Sequence, residues 1–169
     1  MEDINTRMQP VFGDRTQAII DAYQKNFPGV KPVELLSLMG SQRTNAIKQA
    51  ELKTAQNGAP VYLYWFTWKT PVLDGRPRSF HCSELAFAFD NIDRCKNATG
   101  GGQEARDLAA KMSQAWINFA RSGNPNHSEL PEWPVFTAVN GETMVFDNKS
   151  EVKNDPDREA RLVITAKVS

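Results

Sequence analysis

The chain has 169 residues, with twenty Lys and Arg cancelling twenty Asp and Glu and only two histidines. That length suits a single domain, residues 1–169, burying roughly two thirds of the surface its unfolded form would expose. A balanced charge with no long single-sign run gives no field to draw the protein onto nucleic acid or an anionic membrane, so a small molecule or another protein is the expected partner.

The polar, acidic start, Met1-Glu2-Asp3-Ile4-Asn5-Thr6-Arg7, lacks the basic and apolar parts of a secretory signal. No apolar run is long enough to cross a bilayer, so the chain carries no address of its own and a cytoplasmic location is the default expectation. From Asp14 to Asn26, Ala18, Ile19, Ile20, Ala22 and Tyr23 fall at helical spacing, with Phe27-Pro28-Gly29 as a stop. Lys31-Pro32 opens a short helix, Val33 to Met39, because proline is tolerated in a first turn. Ser41 then caps a third helix running to about Asn57-Gly58.

After Pro60 the pattern changes to Val61-Tyr62-Leu63-Tyr64-Trp65-Phe66-Thr67-Trp68, apolar on both faces, which predicts a buried interior strand. The two prolines and Asp74-Gly75 between Lys69 and Arg78 predict a loop, and the chain then reaches Ser79-Phe80-His81-Cys82-Ser83-Glu84-Leu85-Ala86-Phe87-Ala88-Phe89. His81 thus lies between a strand and a short apolar helix, where α/β enzymes place proton-transfer groups. Asp90 to Gly102 reads as an exposed connection. Gln103 to Arg121 repeats apolar residues at three- and four-residue steps and is the clearest helix. Thr143 to Asp147 reads as a short strand and Asp155 to Leu162 as a charged, weakly helical segment.

A metal reading would recruit His81, Cys82, Glu84 and Cys95, but adjacent His and Cys do not readily face one ion and no paired spacing recurs. Cys82 is more simply a small buried side chain, and His127, in a polar loop, a solvated one. Tyr62, Tyr64, Trp65, Phe66 and Trp68 lack the interleaved Lys and Arg of a base-stacking surface and read as core. Phe80, Phe87 and Phe89 could line a pocket, although packing is the commoner use of an apolar helix face.

Four blocks in order carry a resemblance to the type-B carboxylesterases of the α/β-hydrolase superfamily, in particular the para-nitrobenzyl esterase branch. They are Ala59-Pro60-Val61-Tyr62-Leu63-Tyr64-Trp65-Phe66, His81-Cys82-Ser83-Glu84-Leu85-Ala86-Phe87-Ala88-Phe89, Ala115-Trp116-Ile117-Asn118-Phe119-Ala120-Arg121-Ser122-Gly123-Asn124-Pro125-Asn126, and Trp133-Pro134-Val135-Phe136 followed by Met144-Val145-Phe146-Asp147. The resemblance implies the C-terminal portion of an α/β-hydrolase fold, mainly helical with a small sheet of two or three strands. It implies that His81 is the general base of a Ser-Glu-His triad acting on a small carboxylic ester, with no cofactor. The sequence departs from the family by holding no Gly-x-Ser-x-Gly turn: Ser41 and Ser122 do not sit in that frame, and Glu34 and Glu51 are not promoted to triad acid. The expectation is therefore a segment inactive alone and completed by an N-terminal part. The alternative is a non-catalytic binding or self-associating module, and in either case exposed apolar area on the Val61–Trp68 strand predicts a homodimer.

Overall fold

The computed structural model describes residues 2–166, without the side chains of residues 2, 3, 32, 33 and 41. These residues form two compact units, one from residues 2–49 and 155–166, the other from residues 50–154.

The first unit is helical. Its elements are α1 (Glu2–Phe12), α2 (Thr16–Asn26), α3 (Pro32–Leu38), the N-terminal part of α4 (Ser41–Thr54), and α8 (Arg158–Thr165). Ile4, Ile19, Ile20, Tyr23, Leu35, Met39 and Ala160 form its buried core. Helix α1 lies where the sequence was read only as polar, yet Ile4, Met8 and Phe12 recur every fourth residue and face that core. Arg15 closes the far end of α8, its Nη1 donating to the carbonyls of Ala166 at 2.7 Å and Ile164 at 3.3 Å. A cation there satisfies carbonyls that no helical N–H reaches.

An ion cluster is buried in the same unit. Arg161 donates from Nη2 to both carboxylate oxygens of Asp155 at 2.6 and 2.5 Å, and Arg43 donates from Nε to Asp157 at 3.1 Å. Burial and the neighbouring Asp157 carboxylate push the Tyr23 hydroxyl up to about 12.

The second unit holds the sheet, in the order β1 (Leu63–Phe66), β2 (Glu142–Phe146), β3 (Glu151–Asn154). β1 pairs parallel with β2, Tyr64 opposite Met144, and β2 pairs antiparallel with β3, Met144 opposite Val152. All five residues of β2 are buried, as the central strand requires. The regular part of β1 is shorter than the run of eight apolar residues. At one end Val61 gives its carbonyl to the Phe136 amide (2.8 Å), and beyond the other Trp68 turns its indole N–H to Asn148 (2.8 Å). β1 is also an outer strand of this sheet and not an interior one, with Tyr64 37% exposed.

Helix α7 (Gln103–Ser122) buries Ala105, Leu108, Ala109, Met112 and Ala115, the period-3.6 stripe visible in the sequence. Gly123 ends it at φ +75°, its N–H returning to the Phe119 carbonyl at 2.7 Å. Around this stripe Phe87 stacks within 5.0 Å of Phe66 and 4.9 Å of Trp68, and Trp133 within 5.5 Å of Phe146. The stretch between Asp90 and Gly102 is more ordered than an exposed connection: it contains a 3-10 turn, Ile92–Arg94, and α6 (Lys96–Thr99), and it buries Ile92 and Thr99. The apolar Ile92 is enough to fold it onto α7.

Candidate functional site

His81 is placed by a short series of bonds that start on β1. Thr70 is buried; its hydroxyl donates to the Ala98 carbonyl at 2.6 Å and accepts from the Val72 amide at 3.2 Å. The Thr70 amide donates to the Arg78 carbonyl at 3.3 Å, so the loop from 70 to 78 closes on itself. Gly100 stands under that loop at φ +73°, and a Cβ there would come within 2.9 Å of the Pro71 ring, so this position needs glycine twice over. Ser79 then donates its hydroxyl to the Phe66 carbonyl at 3.0 Å, fixing the turn to the end of β1.

The turn itself is tight. Arg78 and Cys82 both take left-handed backbone, φ +56° and +63°, and the Ser83 amide bonds the Phe80 carbonyl at 3.0 Å. The next helix, α5 (Leu85–Ala88), is only one turn long. His81 stands on this turn with its ring exposed, and among the described residues it makes no side-chain hydrogen bond or ion pair. Cys82 is exposed and unpaired, on a turn residue with left-handed backbone, so the expectation of a buried thiol is corrected.

Of the two hydroxyls nearest in sequence, Ser79 donates to the Phe66 carbonyl and Ser83 is buried with no hydrogen-bond partner on its Oγ, so neither is hydrogen-bonded to the imidazole. Ser122 is spent on helix capping, donating to the Asn118 carbonyl at 2.9 Å, and the Ser41 side chain lies outside the described residues. Among the described residues no group of three His, Cys, Asp or Glu side chains is arranged to hold a metal ion.

The second histidine shows the contrast. His127 is half-buried and not a solvated side chain: its Nε2–H donates to the Lys111 carbonyl of α7 at 3.0 Å, and its Nδ1 accepts the Glu129 amide at 3.4 Å. Both nitrogens are used structurally, leaving none for proton transfer. His81 has both nitrogens available.

Apolar residues flank His81 in sequence. Phe87 is fully buried, as packing predicts, but Phe80 is 38%, Leu85 47% and Phe89 70% exposed. Half-buried Glu84 lies close enough to Tyr64 for its charge, after burial, to raise the phenol above its ordinary range. A separate cleft of about 340 Å³, lined by Asp90, Ile92, Asp93, Gln103, Arg106 and Asp107, does not include His81. Within it Arg106 holds Asp93 in a two-pronged pair at 2.8 and 2.7 Å.

A small sheet with one parallel pair and helices packed on it matches part of an α/β-hydrolase fold, as solved structures show. A carboxylesterase of Geobacillus stearothermophilus, EST55, superposes with a TM-score of 0.75 at 30% identity, over 94% of this chain and 33% of its own. An esterase from Clostridium hathewayi, described as able to hydrolyse aliphatic aromatic polyesters, gives 0.76 at 26% identity, over 95% and 32%. The sequence matches the carboxylesterase family over residues 8–163, and the chain belongs to that family. Among curated relatives, the para-nitrobenzyl esterase of Bacillus subtilis is 34% identical over 105 residues, 61% of this chain and 21% of that protein. The phenmedipham hydrolase of Pseudarthrobacter oxydans is 28% identical over 160 residues, 91% and 32%. The chain thus spans between a fifth and a third of the length of these relatives.

Proposed function

We propose that this chain supplies the general base, His81, of a serine carboxylic ester hydrolase whose nucleophile and triad acid lie outside these 169 residues. The observation that carries this reading is an imidazole with both nitrogens uncommitted, held on a tight turn bonded to the end of β1 through Ser79. Family membership and relatives named as esterases support it.

In this reading the imidazole takes the proton of a serine hydroxyl as the serine oxygen bonds to the ester carbonyl carbon. It returns that proton to the alcohol as the tetrahedral adduct collapses, leaving an acyl-enzyme. Water, deprotonated in turn by the same nitrogen, bonds to the acyl carbon, and as that adduct collapses to the acid the acyl–serine bond breaks and the imidazolium returns its proton to the serine oxygen. A carboxylate on the other ring nitrogen would fix the tautomer and steady the imidazolium.

The test is a graft. With this chain in place of the matching segment of the Bacillus subtilis para-nitrobenzyl esterase, a folded chimera should hydrolyse para-nitrophenyl acetate. His81→Ala should then lower kcat/KM at least about a thousandfold. A folded chimera that keeps its activity after that change overturns the assignment. Hydrolysis by the unaided chain that His81→Ala abolishes would place the nucleophile within these residues instead. A second reading, a non-catalytic module that pairs with itself as a homodimer, draws on the open outer strand β1 and on a net charge of zero. Hydrolysis by the folded chimera separates the two, because a non-catalytic module in that place would leave it inactive.

A further inference from the structure

We propose that Asn57, with the backbone nitrogen of Gly58, is a site of spontaneous deamidation through a cyclic imide, a covalent change that frays the last turn of α4. The inference does not depend on the reading of His81.

The sequence holds two Asn-Gly pairs, Asn57-Gly58 and Asn140-Gly141. Asparagine is thermally labile because the amide nitrogen that follows it can attack its side-chain carbonyl, and glycine, having no Cβ, leaves that nitrogen most open. The two pairs are chemically alike. The fold treats them differently.

At Asn140-Gly141 both reacting groups are engaged. The Gly141 amide donates to the Thr137 carbonyl at 2.8 Å, and the Asn140 carboxamide donates to Glu142 at 3.0 Å. The Asn140 amide adds a bond to the Thr137 hydroxyl at 3.2 Å. Ring closure there has to break this set first.

Residues 55 to 60, around the other pair, are all exposed. Among the described residues neither the Asn57 carboxamide nor the Gly58 amide makes a hydrogen bond. A Cβ on Gly58 would meet nothing within 4 Å. The left-handed residue that turns the chain out of α4 is Asn57 itself, at φ +51°, and not the glycine after it. Its amide and those of Ala55 and Gln56 carry the last bonds of the helix, to the carbonyls of Thr54, Glu51 and Lys53 at 3.0, 2.9 and 3.2 Å.

The step balances with water alone. The Gly58 nitrogen gives its proton to solvent and bonds to Cγ of Asn57, while the bond from Cγ to Nδ2 breaks and that nitrogen takes a proton from solvent and leaves as ammonia. Water then opens the imide ring at either carbonyl, giving an aspartyl or an isoaspartyl link. Either product sets a carboxylate beside the C-terminal carbonyls of α4, where the helix dipole disfavours negative charge, and the isoaspartyl product also lengthens the backbone by a methylene.

The test incubates the whole purified chain at mildly alkaline pH and follows both Asn-Gly peptides by mass spectrometry, with methyl transfer by an isoaspartyl methyltransferase as a second readout. We expect position 57 to convert at least about tenfold faster than position 140, with an isoaspartyl product, and amide exchange at Ala55 and Gln56 to quicken in the converted chain. In denaturant the two positions should convert at similar rates, because only the fold separates them. Gly58→Ala, for which the open space leaves room, should slow conversion at position 57 at least about tenfold. Equal rates in the folded chain, unequal rates in denaturant, an aspartyl product with no isoaspartyl, Gly58→Ala without effect, or unchanged exchange at Ala55 and Gln56 would each overturn the proposal.

Discussion

Thr70 shows how much of the candidate site depends on one hydroxyl. It is buried, donates to Ala98 and accepts from Val72, and through its amide closes the loop that delivers His81. Thr70→Val keeps the shape but strands the Ala98 carbonyl and the Val72 amide, and should cost about 1–3 kcal/mol in denaturant unfolding. A change below a few tenths would mean that water takes over both bonds. Phe87 offers a second residue-scale expectation: Phe87→Ala empties the contact with Phe66 and Trp68 and should cost about 3–5 kcal/mol by the same measurement. Tyr23 gives a pH dependence. Its folded pKa, about 12, is raised above the ordinary 10, so the neutral form is favoured on folding. The stabilisation is fully present below pH 10 and is lost as pH rises toward 12. Thermal unfolding followed across that window should show a decline that Tyr23→Phe reduces; an unchanged decline would show that another group controls it.

At the scale of elements, the ion cluster at the start of α8 is where one substitution should reach furthest. Asp155→Ala leaves Arg161 buried without its two-pronged partner and should cost about 3–5 kcal/mol, with α8 amides losing exchange protection first. A smaller loss with α8 still protected would mean that Asp157 takes over the arginine. The elements also show what could be read from sequence. Helices α2 and α7 are legible because their apolar residues keep the 3.6 period. β3 was not, since Glu151-Val152-Lys153-Asn154 holds one apolar residue and becomes a strand only because β2 offers it a ladder. Helix α1 is less legible, because the polar residues around Ile4, Met8 and Phe12 mask their every-fourth spacing. Of the candidate site, the position of His81 after a strand was legible. The exposure of Cys82 and the engagement of His127 were not, because both depend on backbone turns and on contacts with residues far along the chain.

At the scale of the molecule, the division into two units cuts across chain order: the first takes both ends of the described chain, residues 2–49 and 155–166. No shift in composition marks such a boundary, which is why the sequence reads as one domain. The parallel pair of β1 and β2 has a consequence in time. Leu63 meets Thr143, eighty positions later, with α7 in between. During synthesis at roughly 5–20 residues per second, β1 leaves the ribosome seconds before its partner exists. For that interval a run of aromatic residues with no charge and no proline is a bare strand, and pairing across so long a loop is slow even when both halves are present. The chain therefore passes through a window in which chaperone capture competes with stickiness between nascent copies, and yield of native protein should depend on temperature and expression rate more than on final stability.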